Sequence, residues 1–224
     1  MLVLALDTST SWETIAIVEG EKIHAEDLAQ VDATHSTRLL KAVARILQES
    51  GLSPPDVDVY AAGCGPGSFT GLRIGLASVL GMARALGKPV LGIPTLDSLA
   101  RGVYSTTMPV CPMMDARRGE LFTAVYRQDD RGVPVRQTPF LVLRPEQLPA
   151  VLERAPALFL GDALLTHRQS ILRAFGEQAV FAPPELWFPR ASIIGRMAGE
   201  LLNEAQPEIV APLVPIYVRP SDAE

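Results

Sequence analysis

Cysteine is scarce in this chain of 224 residues. Cys64 and Cys111 follow no metal-ligand spacing and offer no disulfide framework, which predicts a reducing, cytoplasmic setting. Clustered basic charge is also missing. The formal net charge is −5 and the pI about 5.3, so a primary nucleic-acid-binding surface is not expected and any RNA or DNA role is expected to be indirect. No run of about 20 uncharged apolar residues occurs, so no membrane span is expected. The opening Met1-Leu2-Val3-Leu4-Ala5-Leu6 has no basic lead and meets Asp7 too early for a signal peptide. What remains is a soluble globular composition, 48% hydrophobic and 20% charged, long enough for one large domain or two small ones.

The richest stretch is 63–87, GCGPGSFTGLRIGLASVLGMARALG. Gly63, Gly65, Pro66 and Gly67 fall within five positions, which demands a tight backbone path or a close backbone approach. Ser68 or Thr70 can cap the helix that follows. A turn of this kind at a helix N-terminus suits an anion, yet no phosphate-loop spelling is met. Leu72-Arg73 replaces the Lys-Ser/Thr of a P-loop, Thr70 stands at the third glycine of a dinucleotide turn, and Pro66 breaks a GxSxG elbow. On a helical wheel Leu72, Leu76, Val79, Ala83 and Leu86 form one stripe, flanked by Gly71, Gly75, Ser78 and Met82. Arg73, Ser78 and Arg84 alone interrupt an apolar circumference. Two readings stay open: a central core helix, or a helix with one face on the sheet and the other on a second chain, Gly71 and Gly75 allowing the approach.

Along the chain, strands are predicted at 2–6, 13–18 and 22–29, then a helix over 35–50 with Leu39, Val43 and Ile46 on one stripe. A strand at 57–62 leads into the central helix. Another at 89–93 precedes a helix capped by Thr95. Three consecutive strands followed by alternating helices and strands make an α/β lobe over 1–106. A smaller α/β lobe over 107–211 is expected to hold a strand pair at 110–114 and 121–126, which echoes residues 2–18. It adds strands at 140–143 and 157–160 and helices over 145–155, 164–175 and 192–205. The proline-punctuated tail, 212–224, is expected to lie extended over the surface.

Asp7-Thr8-Ser9-Thr10 closes the first strand and turns directly into the second. Asp7, Thr8 and Ser9 suit residual phosphate or Mg²⁺ binding, but an Asx/Ser-Thr turn bonded to its own backbone accounts for the same residues. An actin-like nucleotide clamp would need a second Asp-plus-glycine hairpin. After Asp115 the chain reads Ala116-Arg117-Arg118, with glycine only at 119, so side chains stand where bare backbone should meet phosphate. Gly161-Asp162 is either the remnant of an adenine loop or a helix-capping turn. Of the three histidines, His24 and His167 read as surface residues. His35 opens a helix on which Arg38 and Leu39 stand where a second metal ligand would be needed.

Laid out in this way, the chain resembles the TsaB (YeaZ) family, accessory subunits of bacterial tRNA threonylcarbamoyladenosine formation. The resemblance rests on Leu6-Asp7-Thr8-Ser9-Thr10, His35-Ser36, GPGSFTGLRIG at 65–75, Met114-Asp115-Ala116-Arg117-Arg118-Gly119-Glu120 and Tyr217-Val218-Arg219. It implies an actin-like, two-lobed fold with a shortened second lobe. It also implies a paralogous partner, TsaD, which carries the active site and holds its metal with an HxxxH pair. Here that pattern reads His35 to Leu39, so the metal site is expected to be lost. The resemblance further implies a non-catalytic scaffold that pairs with TsaD through the helices starting near His35 and Ser68, with TsaE joining and tRNA involved only indirectly. The expected interface is His35, Leu39, Val43, Leu72, Arg73, Leu76, Val79, Met82 and Ala83, and a homodimer is expected when the partner is absent. No cofactor is expected to bind the lone chain tightly, with ATP or ADP possible in the complex. The rival expectations are a free-standing actin-like ATPase or small-molecule kinase, and a metallopeptidase.

Overall fold

The computed structural model describes residues 1–31, 35–204 and 213–218; side chains are described from Arg38 in the first helix and up to Asn203 in the last. The chain divides into two compact units. The first comprises residues 1–98 and 190–216, the second 99–189 and 217–224.

In the first unit, β1 (Leu2–Asp7), β2 (Trp12–Glu19) and β3 (Lys22–Gln30) form an antiparallel meander. β4 (Val59–Gly63) and β5 (Val90–Ile93) add in parallel on the other side of β1, giving the order β3-β2-β1-β4-β5. Strand periodicity sorts the side chains onto two faces. Leu4, Leu6, Ile15, Ile17 and Tyr60 meet Leu39, Val43, Ile46, Leu76 and Val79 from α1 (His35–Glu49) and α2 (Phe69–Leu86). Val3, Ala5, Ala16, Val18, Val59 and Ala61 point the other way. There they are covered by Ala191, Ile194 and Ala198 of the last helix, α6 (Ala191–Glu204); α3 (Thr95–Arg101), α4 (Leu148–Val151) and α5 (Leu164–Phe175) intervene in the chain.

The helix expected inside the second lobe therefore belongs to the first unit, and the division at 106 and 211 is replaced by an insertion. Small side chains explain the return. A Cβ on Gly195 would lie 2.6 Å from Val18 Cγ2, so α6 sits directly on the sheet. Its start is held by polar contacts: Ala191 N donates to Thr14 Oγ1 (3.1 Å), Ser192 N donates to Glu26 Oε1 (3.0 Å), and Arg190 pairs with Glu26. Part of the proline-punctuated tail is anchored here too. Leu213 and Ile216 pack on the α1–α2 side of the core, and Ile216 N donates to Cys64 O.

The second unit repeats the first one's strand order. β6 (Val110–Arg117) pairs antiparallel with β7 (Glu120–Thr123) and parallel with β11 (Ala157–Leu160); β10 (Leu141–Leu143) and β12 (Ala179–Phe181) flank them. The order β10-β7-β6-β11-β12 reproduces β3-β2-β1-β4-β5 in both position and direction, which makes the echo between residues 110–126 and 2–18 a repeat of topology. Two short strands, β8 (Tyr126–Gln128) and β9 (Pro134–Arg136), form a side hairpin off β6. One face of the sheet buries Met113, Leu121 and Phe159 against Leu148, Leu164, Ile171 and Phe175 of α4 and α5. The helix expected over 145–155 breaks into a 3₁₀ turn, Pro145–Gln147, and the single turn of α4. Pro149 has no N–H to carry the ladder through.

Candidate functional site

Three turns meet at the C-terminal end of β1. Asp7 is wholly buried and both its oxygens are occupied: Oδ1 accepts from Ser9 N (2.7 Å) and Ser9 Oγ (2.6 Å), Oδ2 from Thr95 Oγ1 (2.9 Å). Thr95 Oγ1 also accepts from Gly65 N (3.2 Å), so one hydroxyl links the β1 turn, the glycine-rich loop and the start of α3. Ser68 caps α2 by accepting from Gly71 N, while Thr8 Oγ1 donates to Gly71 O at 2.7 Å. A Cβ at Gly71 would lie 2.0 Å from Thr8 O, and one at Gly75 2.3 Å from Thr8 Oγ1. These two glycines therefore admit the chain's own β1 turn, not a neighbouring molecule.

Asp7, Thr8 and Ser9 are all buried in this network, so the Asx/Ser-Thr reading of the turn prevails. An Mg²⁺–nucleotide complex would need Asp7 turned outward, and its oxygens are turned inward onto Ser9 and Thr95. The β6–β7 hairpin fits such a ligand no better. Arg117, Arg118 and Gly119 carry φ of +63°, +53° and +78°, and the Arg117 side chain projects into solvent beside Asp115 (Nη1 to Oδ2 3.7 Å). Gly161 serves the sheet, because a Cβ there would lie 1.9 Å from Met113 O.

His167, expected at the surface, is buried on α5. Its Nε2 lies 3.9 Å from Asp115 Oδ1 without a hydrogen bond. The wheel position of His167 matches Leu164 and Ile171, three before and four after it, which is the signal that placed it inside. His24 is half-buried beside Glu19 (3.2 Å). The His35 side chain lies outside the described residues. Among the described residues no three His, Cys, Asp or Glu side chains gather as a metal-holding set. Burial pushes the Cys111 thiol up to about 12, against a weaker opposing bond from Thr123. Burial, then the charges of Asp7 and Asp97, push Cys64 to about 12 as well.

Most of the expected interface residues face the first unit's own core. Leu39, Val43, Leu72, Leu76, Val79 and Ala83 are buried in the first unit's own core, and Met82 is half-buried against it. Of the residues named on α2, Arg73 alone is fully outward, its guanidinium 3.8 Å from the Phe69 ring centroid. By length and apolarity α2 matches a membrane span; what its apolar stripe meets is the sheet. The outward line of α2 runs Arg73, Ala77, Gly81 and Arg84, at the i+4 and i+3 spacing of one face. On the adjoining α1, Arg38 and Arg45 both reach Asp27 of β3 (2.7 Å each). α1 and α2 touch each other, and on the other flank of α1 Leu40 and Ala44 are exposed. Leu40 (52% exposed) and Ala44 on α1, and Ala77 and Gly81 on α2, are thus exposed apolar and small residues. Arg73 and Arg84 recur at the spacing of this line in the sequence, which is the signal that marks it.

The sequence model of TsaD, tRNA N6-adenosine threonylcarbamoyltransferase, matches residues 29–134. The tRNA threonylcarbamoyladenosine biosynthesis protein TsaB of Bacillus subtilis is 30% identical over 226 residues, spanning 100% of this chain and 96% of that protein. Its Escherichia coli counterpart is 35% identical over 223 residues, 98% and 95% of the two. The solved structure of YeaZ from Pseudomonas aeruginosa superposes with a TM-score of 0.79 at 27% identity, covering 97% of this chain and 99% of that one. For the fold alone, a putative N-acetylmannosamine kinase from Listeria monocytogenes superposes with a TM-score of 0.51 at 11% identity, covering 92% and 100%. The duplicated mixed sheets are those of the actin-like fold, and at 30–35% identity along almost its whole length the chain belongs to the TsaB (YeaZ) family of tRNA threonylcarbamoyladenosine biosynthesis proteins.

Proposed function

We propose that this protein is a non-catalytic cytoplasmic subunit that pairs with a TsaD protein and orders the TsaD active site. That site transfers a threonylcarbamoyl group from its adenylate to N6 of adenosine 37 in tRNAs reading codons that begin with A. The observation that carries the reading is a contrast on one unit. The turn that would hold a metal nucleotide is closed by Ser9 and Thr95, whereas the neighbouring helices turn Leu40, Ala44, Ala77 and Gly81 to solvent. Small residues on a helix face let a partner helix approach closely, and Leu40 supplies an apolar anchor. TsaE joins the complex, and ATP or ADP at the turn after β1 belongs to the assembly and not to this chain alone. Without its partner the same face pairs two copies about a two-fold axis.

The test is co-purification of the tagged chain with its cellular partners, repeated with Ala77→Glu. Recovery of a TsaD protein with the parent chain and its loss with a folded Ala77→Glu variant support the reading. An undiminished yield from the variant sinks it. Steady ATP turnover by the lone chain, abolished by Asp7→Ala, would favour the kinase or ATPase alternative.

A further inference from the structure

The second unit carries a groove that the proposed pairing leaves unused. It is an open depression of about 620 Å³ between the α4 region and α5, and Arg154, Arg173, Ser170, Glu146, Pro149 and Ala174 contribute to its lining. That volume lies within the range of small-ligand sites. Neither guanidinium is ion-paired to a carboxylate among the described residues. The Arg173 side chain and the Arg154 backbone are each fixed by a hydrogen bond. Arg173 Nε donates to Gln169 O (3.4 Å), which leaves both Nη groups for a ligand. Arg154 follows Glu153 in a pair of non-glycine residues with left-handed backbone, φ +56° and +51°, and its N–H is fixed on Pro149 O (2.9 Å). Two consecutive residues in that region are unfavourable, and they set the direction in which the Arg154 side chain leaves the turn.

We propose that this groove binds the phosphate of a ribonucleotide. Two planar guanidinium forks and the Ser170 hydroxyl match the oxygens of a phosphate ester, which lysines would meet only as point charges. Glu146 does not suit a bare anion, but a carboxylate accepts hydrogen bonds from a ribose diol. Pro149 and Ala174 give the base an apolar wall. The phosphate comes either from a free mononucleotide or from an RNA chain. The assignment is independent of the pairing through α1 and α2, because it uses only residues of the second unit.

The experiment is calorimetric titration of the full chain with AMP, 2′-deoxy-AMP, adenosine, inorganic phosphate and a single-stranded hexaribonucleotide. Arg154→Ala, Arg173→Ala and Glu146→Gln are run alongside, with melting curves to verify folding; all three side chains are exposed. The expected result is that each arginine variant weakens binding at least tenfold. Adenosine should bind at least tenfold more weakly than AMP, and Glu146→Gln should erase the preference for AMP over its 2′-deoxy form. Binding of AMP identifies a free nucleotide as the source, and binding of the hexamer alone identifies RNA. Absence of binding by both at millimolar concentration overturns the proposal, as does binding that neither arginine variant alters.

Discussion

The Thr95 hydroxyl donates to Asp7 Oδ2 at 2.9 Å, joining residues 88 positions apart inside the first unit. A buried carboxylate with three donors is a structural knot, and its loss leaves the Ser9 N–H, the Ser9 hydroxyl and the Thr95 hydroxyl seeking partners. Asp7→Ala is expected to cost about 3 kcal/mol of folding stability, and Thr95→Val about 1 kcal/mol. Urea denaturation of the purified variants measures both. A midpoint unmoved by Asp7→Ala would show that the network carries no stability.

The glycines of α2 separate into two classes. Gly71→Ala drives a methyl group into the Thr8 carbonyl, and Gly75→Ala meets the Thr8 hydroxyl; each is expected to destabilise by about 2 kcal/mol. Gly81 has open space around its Cβ position, so Gly81→Ala is expected to stabilise the lone chain by about 0.5–1 kcal/mol through helix propensity. Thermal melts of the three variants rank them. A stabilising Gly71→Ala would contradict the packing described.

A charge distinguishes the two faces of α2. Val79 is fully buried, and Val79→Glu is expected to give insoluble or unfolded protein because an unpaired charge enters the core. Ala77→Glu and Gly81→Glu are expected to leave the circular dichroism spectrum unchanged while converting the proposed two-fold pair to monomers. Size exclusion with light scattering reads the mass. Dimers persisting in both outward variants would move the pairing surface elsewhere.

The thiols set an alkaline limit. Cys64 and Cys111 are raised from 9.0 to about 12, so the native state keeps both protons after the unfolded chain has begun to lose them. Their contribution is therefore intact below pH 9 and stability falls as pH climbs from about 9 toward 12. Denaturant midpoints at pH 8 and pH 10 should differ, and Cys64→Ala with Cys111→Ala should flatten the difference. In the same register, iodoacetamide at pH 8 is expected to alkylate both cysteines only after denaturation.

Strand and helix positions in the first unit were legible because each carries a single clear period. β1 is buried on both faces and α2 keeps a continuous apolar stripe. What periodicity does not carry is which solvent a stripe meets. Leu72, Leu76 and Val79 look the same whether a sheet or a second protein covers them, and the structure buries them against the sheet. Thr95 read as a cap because a helix start explains a lone threonine, and its partner stands 88 residues away. β8, β9 and β12 are three residues each, too short for alternation to register, whereas the equally short β10 stands in the apolar run Phe140 to Leu143 that marks it. The return of α6 left no local mark, since Ala191, Gly195 and Ala198 fit any sheet that offers a flat face.

That return has a consequence for how the chain is made. Val3, Ala5, Ala16 and Val18 need α6 to cover them, and ribosomes deliver residues 99–189 first. At bacterial elongation speeds of about 5–20 residues per second, the back of the first sheet waits about 5–20 s for its lid. The inserted unit's main segment is contiguous and can finish its core during that interval. Until α6 emerges, the back of the first sheet in a nascent chain of this protein stays without the helix that covers it.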